Sequence, residues 1–135
     1  DPEAQLYLTR LENDLLELIE ASLSGTLDRM QLRWKHPASL CVALMNRNYP
    51  DTSEGSNEII HGLDEAARYP DIKVFHARTR NIDGRICSGG GRTLFVTGWG
   101  SDLREVQRNV YGVVESVVGF DGAHFVSGIG DKHFL

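Results

Sequence analysis

The stretch IKVFHARTRNIDGRICSGGGRTLFVTGWG, residues 72–100, decides the fold. Ile72, Val74 and His76 alternate with Lys73, Phe75 and Ala77 up to Thr79, the period of two that marks a strand. Asn81-Ile82-Asp83-Gly84 then supplies an Asp-Gly pair, which suits a two-residue hairpin turn because both central residues need positive φ. Arg85–Ser88 reads as the return strand. Gly89-Gly90-Gly91 breaks the pattern, Arg92–Thr97 is a further strand, and Gly98-Trp99-Gly100 reads as a loop. Short strands joined by short turns pair antiparallel.

Working outward, residues 38–45 (ASLCVALM) form a nearly continuous apolar run, the mark of a strand covered on both faces. Asn46-Arg47-Asn48-Tyr49-Pro50-Asp51 and Ser53-Glu54-Gly55-Ser56 are turn formers, so residues 46–57 read as loop. Ile59-Ile60 begin a short strand that stops at Gly62, and Leu63–Arg68 reads as a helical turn. Residues 3–23 read as one amphipathic helix: Leu8, Leu11, Leu15, Leu18 and Leu23 recur on one side, with Glu12, Asp14, Glu17 and Glu20 on the other. Asp1 suits its N-cap, Pro2 its first position and Gly25 its end. Ser101 or Asp102 caps a second helix, with Glu105 in capping-box position after Asp102 and a stripe of Leu103, Val106, Val110, Val113, Val114 and Val117. The tail from Gly119 reads as a short strand plus loop. The expected class is α+β: a small, mostly antiparallel, barrel-like domain with two long helices.

Composition sets the outer bounds. At 135 residues, 41% apolar and 24% charged, the chain fits a globular domain with one modest core. Fourteen Lys and Arg against 19 Asp and Glu leave a net charge of -5, which argues against a nucleic-acid surface but leaves room for a local cation cluster. No apolar run approaches the roughly 18 residues of a membrane span, and no signal-peptide pattern opens the chain. Cys41 and Cys87 lie in apolar, strand-like runs and read as free buried thiols, as in a reducing cytoplasm. The chain opens on Asp1-Pro2-Glu3 without methionine and enters helix at once, so it is expected to be a piece of a longer protein.

Gly89-Gly90-Gly91-Arg92 is the local feature with most chemistry in it. Consecutive glycines let the backbone turn tightly and approach a ligand, and their amides can form an anion-binding nest. A following arginine can hold a phosphate through two parallel hydrogen bonds. A glycine-rich hairpin beside a solvated arginine would carry the same residues. Asp1 and Glu3 are acids at a helix start, where capping explains them; they could equally position an amine or a metal. The histidines at 36, 61, 76, 124 and 133 show no ligand spacing, and His76, mid-strand beside apolar neighbours, reads as a hydrogen-bonded core histidine. No nucleophile elbow or P-loop occurs, and Trp34 and Trp99 read as packing residues.

Taken together, the segments resemble the C-terminal domain of the phosphoribosylamine–glycine ligases. Asp-Pro-Glu-Ala-Gln (1–5) is similar to the segment that closes the ATP-grasp domain in that family. Arg10-Leu11, Asp14-Leu15, Trp34, Tyr49-Pro50, Ile60-His61-Gly62-Leu63, Val74-Phe75-His76-Ala77, Asp83-Gly84, Gly90-Gly91-Arg92, Val96-Thr97 and Ile129-Gly130 follow in the family's order. The resemblance implies residues 1–25 as the end of the ATP-grasp domain with a connecting helix, and 26–135 as the C-terminal domain.

It further implies a parent enzyme of purine synthesis, cytoplasmic, that joins 5-phosphoribosylamine and glycine into glycinamide ribonucleotide by way of glycyl phosphate, with ATP and magnesium held upstream of this chain. The domain would dock on the preceding ATP-grasp and N-terminal domains and wall the substrate cleft; alone it would catalyse nothing. Asp1 and Glu3 would face the glycine and metal side. Arg92 with the amides of Gly90 and Gly91 would hold the 5-phosphate, and His76 would line or brace the same cleft.

Three departures from the family pattern stand out. Arg47-Asn48-Tyr49-Pro50-Asp51 lacks the family's glycines, Arg78 stands where the family has glycine, and Val126-Ser127-Gly128-Ile129-Gly130 lacks two charges. Arg78 could add a second cation at the phosphate or could be solvated, and the sequence favours the latter. The alternative function is a non-catalytic domain, derived from this family, that binds a phosphorylated ligand or a partner. A biotinyl or lipoyl carrier is excluded, since the hairpin tip Asn81-Ile82-Asp83-Gly84 has no lysine.

Overall fold

In the computed structural model, which describes residues 2–51 and 54–134, the decisive stretch splits between two sheets. The strands are β1 (Ala38–Met45), β2 (Ile72–His76), β3 (Thr79–Ile82), β4 (Arg85–Ser88) and β5 (Arg92–Gly100). The helices are α1 (Glu3–Arg10), α2 (Leu15–Leu23), α3 (Leu63–Ala66) and α4 (Leu103–Ser116). One antiparallel sheet has the order β1-β5-β2, and β3-β4 is a separate antiparallel ribbon. The antiparallel α+β class therefore holds, but the strands do not close into a barrel.

The ribbon forms where the Asp-Gly pair requires it. Asp83 and Gly84 both have positive φ, 49° and 79°, and the Gly84 amide donates to Asn81 Oδ1 at 3.0 Å. The alternation from Ile72 to Thr79 hides a break: Ala77 donates its amide to the Thr93 carbonyl at 3.0 Å, and at Arg78 the chain leaves the large sheet. Gly98-Trp99-Gly100, read as loop, instead completes β5, with Gly98 opposite both Leu40 and Ile72. A Cβ on Gly98 would stand 2.5 Å from Val110 Cγ2, so this glycine lets α4 lie close on the sheet.

One face of the sheet carries Leu40, Val42, Leu44, Leu94 and Val96, and α4 covers it with Val106, Val110, Val113 and Val114, all buried. Burying each such side chain contributes about 1.5–3 kcal/mol. The capping reading of α4 holds through Asp102, whose Oδ1 accepts from the Glu105 amide at 2.9 Å. Asp102→Ala is expected to cost about 1 kcal/mol, seen as a lower midpoint in urea unfolding with unchanged slope.

The first predicted helix is two helices. Its apolar period runs on through residues 11–14, but Asn13 is buried and bonded to another segment: Nδ2 donates to the Gln31 carbonyl at 3.0 Å, and Oδ1 accepts from the Arg33 amide at 2.7 Å. Asp14 then caps α2 by accepting from the Leu16 amide at 2.8 Å. Asn and Asp favour such side-chain bonds over helix interiors. Pro2 occupies the N-cap of α1 rather than its first helical turn, and the Asp1 cap lies outside the described residues. Gly25 does end α2: at φ 70° it closes a Schellman motif, with Thr26 N–H to the Ala21 carbonyl at 2.8 Å and Gly25 N–H to Ser22 at 3.3 Å. Both cysteines are free and buried, as expected.

Candidate functional site

The glycine turn joins β4 to β5 and is fixed from three sides. The Gly89 amide donates to the Arg78 carbonyl at 2.7 Å, and the Gly91 carbonyl accepts from the Asn46 amide at 2.9 Å. Gly90 and Gly91 hold φ 104° and 56°, values that suit glycine alone or nearly so. From the third side Gly55 presses in so closely that a Cβ there would stand 2.5 Å from Gly89 C.

A buried polar network anchors this loop contact. Asn46 Nδ2 donates to Thr93 Oγ1 at 2.8 Å, and Ser56 Oγ donates to Asn46 Oδ1 at 3.0 Å. Ser56 and Ser88 hydroxyls lie 3.1 Å apart, and the Glu58 amide donates to Ser88 Oγ at 3.0 Å. Asn46, Ser88 and Thr93 are all buried, so every lost bond would leave an unsatisfied group. Asn46 was legible only as a turn former; its contacts with Thr93 and Gly91 depend on distant residues.

Gly90 and Gly91 are themselves buried, and their amides have no hydrogen-bond acceptor among the described residues. Two such donors side by side are what an anion nest offers. The Arg92 guanidinium lies 5.9 Å from the Phe95 ring centroid, which sets it over the sheet face opposite α4. The polar hollow behind the loop, about 320 Å³, faces Glu54, Glu58 and Asp121 against Arg47, a balance that repels a phosphate. A hollow of about 540 Å³ between α3 and the ribbon is lined by Ile59, Ile60, Leu63 and Ile86 among others and does not reach the turn.

Glu3 lies in the first turn of α1, near Cys41 on β1. Burial pushes the Cys41 thiol above its usual range, the Thr97 hydroxyl pulls it partly back, and the Glu3 carboxylate pushes it up again. Thr97 donates to Cys41 Sγ at 3.1 Å and lies two residues along β5 from Phe95. Thr97 and Arg92 are five residues apart on β5, about 16 Å at the strand rise, so the end of the sheet nearest Glu3 and the glycine turn are well separated. His76 is exposed, with Nδ1 3.1 Å from Thr79 Oγ1. It lines a hollow with Tyr69, Lys73 and Trp99 rather than meeting the glycine turn. Asp1 lies outside the described residues. Among the described residues, no three His, Cys, Asp or Glu side chains gather as a metal site.

Residues 39–132 match the family model described as phosphoribosylglycinamide synthetase, C domain. The chain is 46% identical over 118 residues to a phosphoribosylamine–glycine ligase of Xylella fastidiosa, covering 87% of this chain and 27% of that protein. It is 38% identical over 133 residues to the enzyme of that name from Neisseria meningitidis, covering 98% of this chain and 30% of that protein. The crystal structure of phosphoribosylamine–glycine ligase from Thermotoga maritima matches with a TM-score of 0.58 and 26% identity, over 80% of this chain and 26% of that one. The chain thus spans between a quarter and a third of the length of these relatives.

Proposed function

The chain belongs to the phosphoribosylglycinamide synthetase C-domain family, and on that premise we propose that it is the substrate-cleft domain of an ATP-dependent ligase. The parent joins 5-phosphoribosylamine to glycine, giving glycinamide ribonucleotide in purine synthesis, and works in the cytoplasm. The observation that carries this reading at the level of residues is the glycine turn: two buried glycines beside Arg92 whose amides have no acceptor among the described residues. In this reading they hold the 5-phosphate of the ribosylamine. In this reading Glu3 faces the glycine end of the same cleft, and His76, which does not meet the turn, braces the neighbouring bend between β2 and β3 through Thr79. The free amine of the ribosylamine attacks the carbonyl of glycyl phosphate, the amide bond forming as the acyl–phosphate bond breaks and inorganic phosphate leaves, while the 5-phosphate, held at a distance from the reacting atoms, fixes its position.

ATP and magnesium belong to the parent's upstream domain. The described residues here offer no converging carboxylates for a divalent cation, so no step of the reaction is assigned to a metal in this chain. When bound upstream, ATP supplies the phosphoryl group that activates the glycine carboxylate.

Residues 1–25 end the ATP-grasp domain and connect it to residues 26–135. Two observations support the division: the family model begins at residue 39, and α2 keeps only Ala21 buried while Leu16 and Leu23 are 61% and 85% exposed. An apolar face of that kind fits against a preceding domain. No helix among the described residues is long and apolar enough to cross a membrane.

The test is ADP formation by the full-length parent. ADP is expected only when glycine and 5-phosphoribosylamine are both present. ADP release that ignores phosphoribosylamine would favour the non-catalytic ligand-binding alternative for this domain.

A further inference from the structure

The glycine turn is approached by a second arginine whose charge has no partner among the described residues. Gly89 is held by the Arg78 carbonyl, and the Arg78 side chain folds back over the turn: Cδ, Nη1 and Nε lie 3.6, 3.8 and 3.9 Å from the point a Cβ on Gly91 would occupy. Neighbouring arginines are engaged elsewhere. Arg80 Nη1 donates to Asn57 Oδ1 at 3.4 Å, and Arg47 pairs with Asp121 at 3.9 Å. Among the described residues the Arg78 guanidinium has neither ion pair nor hydrogen bond, and the side chain is exposed. It therefore covers Gly91 without satisfying any acceptor, in a protein with net charge -5 that has acids to spare.

We propose that Arg78 is a specificity-determining residue, a second guanidinium that closes over a sugar-phosphate dianion seated on the Gly90 and Gly91 amides opposite Arg92. This rests on the phosphate reading above: the side chain is exposed, as the sequence favoured, and with the dianion bound it takes the second role open to it. A phosphate monoester has three equivalent oxygens and close to two charges at neutral pH, so amides, one planar fork and a second fork can each take an oxygen. The monoester is preferred over singly charged anions because each cation gains from the second charge. A Cβ at Gly91 would meet Arg78 only at ordinary van der Waals distance, so the side chain lies against the turn without crowding it.

The test uses the full-length ligase with ribose 5-phosphate as probe, its dissociation constant measured by calorimetry at low salt, together with the KM values for phosphoribosylamine and glycine. Arg78→Ala is expected to weaken ribose 5-phosphate and raise the phosphoribosylamine KM by about ten- to hundredfold, the range for a lost charge-assisted bond, with the glycine KM unchanged. Arg78→Lys is expected to recover part of the loss, since it keeps the charge but not the fork. Arg78→Ala within twofold of the unmodified enzyme, while Arg92→Ala still loses binding, would overturn the role of Arg78 and leave the phosphate site standing. Equal loss for ribose 5-phosphate and glycine would also overturn it, as a merely structural effect. If neither Arg78→Ala nor Arg92→Ala changes ribose 5-phosphate binding, the phosphate site itself is wrong.

Discussion

Arg92→Ala in the full-length ligase is expected to raise the KM for 5-phosphoribosylamine by roughly ten- to 150-fold. The figure follows from about 1.5–3 kcal/mol for a hydrogen bond to a charged group. The substituted phosphate lies far from the reacting amine, so its contacts act in the ground state and the transition state alike. The loss should therefore fall on KM more than on kcat. Part of the site survives the change: the Gly90 and Gly91 amides keep their geometry, because the Asn46 amide and the Arg78 carbonyl hold the turn from outside. Arg92→Lys should sit between the two, retaining charge without a bidentate fork. Steady-state kinetics with glycine and ATP saturating would measure this. An unchanged KM would remove the phosphate role from Arg92.

Gly62→Ala is expected to destabilise the fold by on the order of 3 kcal/mol, combining a left-handed backbone with a hard clash. Gly62 has φ 77°, and a Cβ there would stand 1.8 Å from the Val117 carbonyl oxygen and 2.6 Å from its carbon. Both are backbone atoms at the end of α4, so no rotamer change relieves the contact. The pairing of His61 with Gly119, whose amides and carbonyls exchange bonds at 2.9 and 3.3 Å, fixes the two segments against each other. Relief would require α4 to withdraw its buried valines from the sheet. Gly84→Ala separates the two contributions. Its φ is 79° but no atom lies within 4 Å of its Cβ position, so only the backbone cost of about 1 kcal/mol should appear. Thermal unfolding should show Gly62→Ala lowering Tm by about 10 °C and Gly84→Ala by a few degrees.

Those two glycines also show what could be read without the fold. The need for glycine at 84 is local: Asp-Gly in a hairpin demands positive φ, and the turn was legible. The need at 62 is set by Val117 at the end of α4, 55 residues on, and the sequence marked Gly62 only as the end of a short strand. The same division runs through the elements. β1, α3 and α4 follow from apolar period and capping, which are properties of neighbours in the chain. The break at Asn13, the departure of the chain from the sheet at Arg78, and the extension of β5 through Gly100 each depend on a partner far away in sequence. The apolar period misled at residues 11–14 because it continued across a polar residue that was buried for its hydrogen bonds, not for its surface.

The site divides in the same manner. The glycine turn was visible because three glycines and an arginine are adjacent. The closeness of Gly55, the Asn46 network and the position of Arg78 over Gly91 were not, since Asn46, Gly55 and Arg78 lie far from the turn in sequence and meet it only through the tertiary fold. Glu3 was singled out from its place at a helix start, and in the fold its carboxylate acts on the buried Cys41 thiol of β1. His76 took its place in the reading from the resemblance; in the fold its ring meets Thr79 instead.

The central claim is that the turn at Gly90-Gly91-Arg92 seats the phosphate of a ribosylamine. It is tested most directly by a crystal structure of the full-length ligase with glycinamide ribonucleotide bound. The prediction is phosphate oxygens at about 2.7–3.1 Å from the Gly90 and Gly91 amides and the Arg92 guanidinium. A phosphate seated on another domain, with this turn left as it stands here, would contradict it.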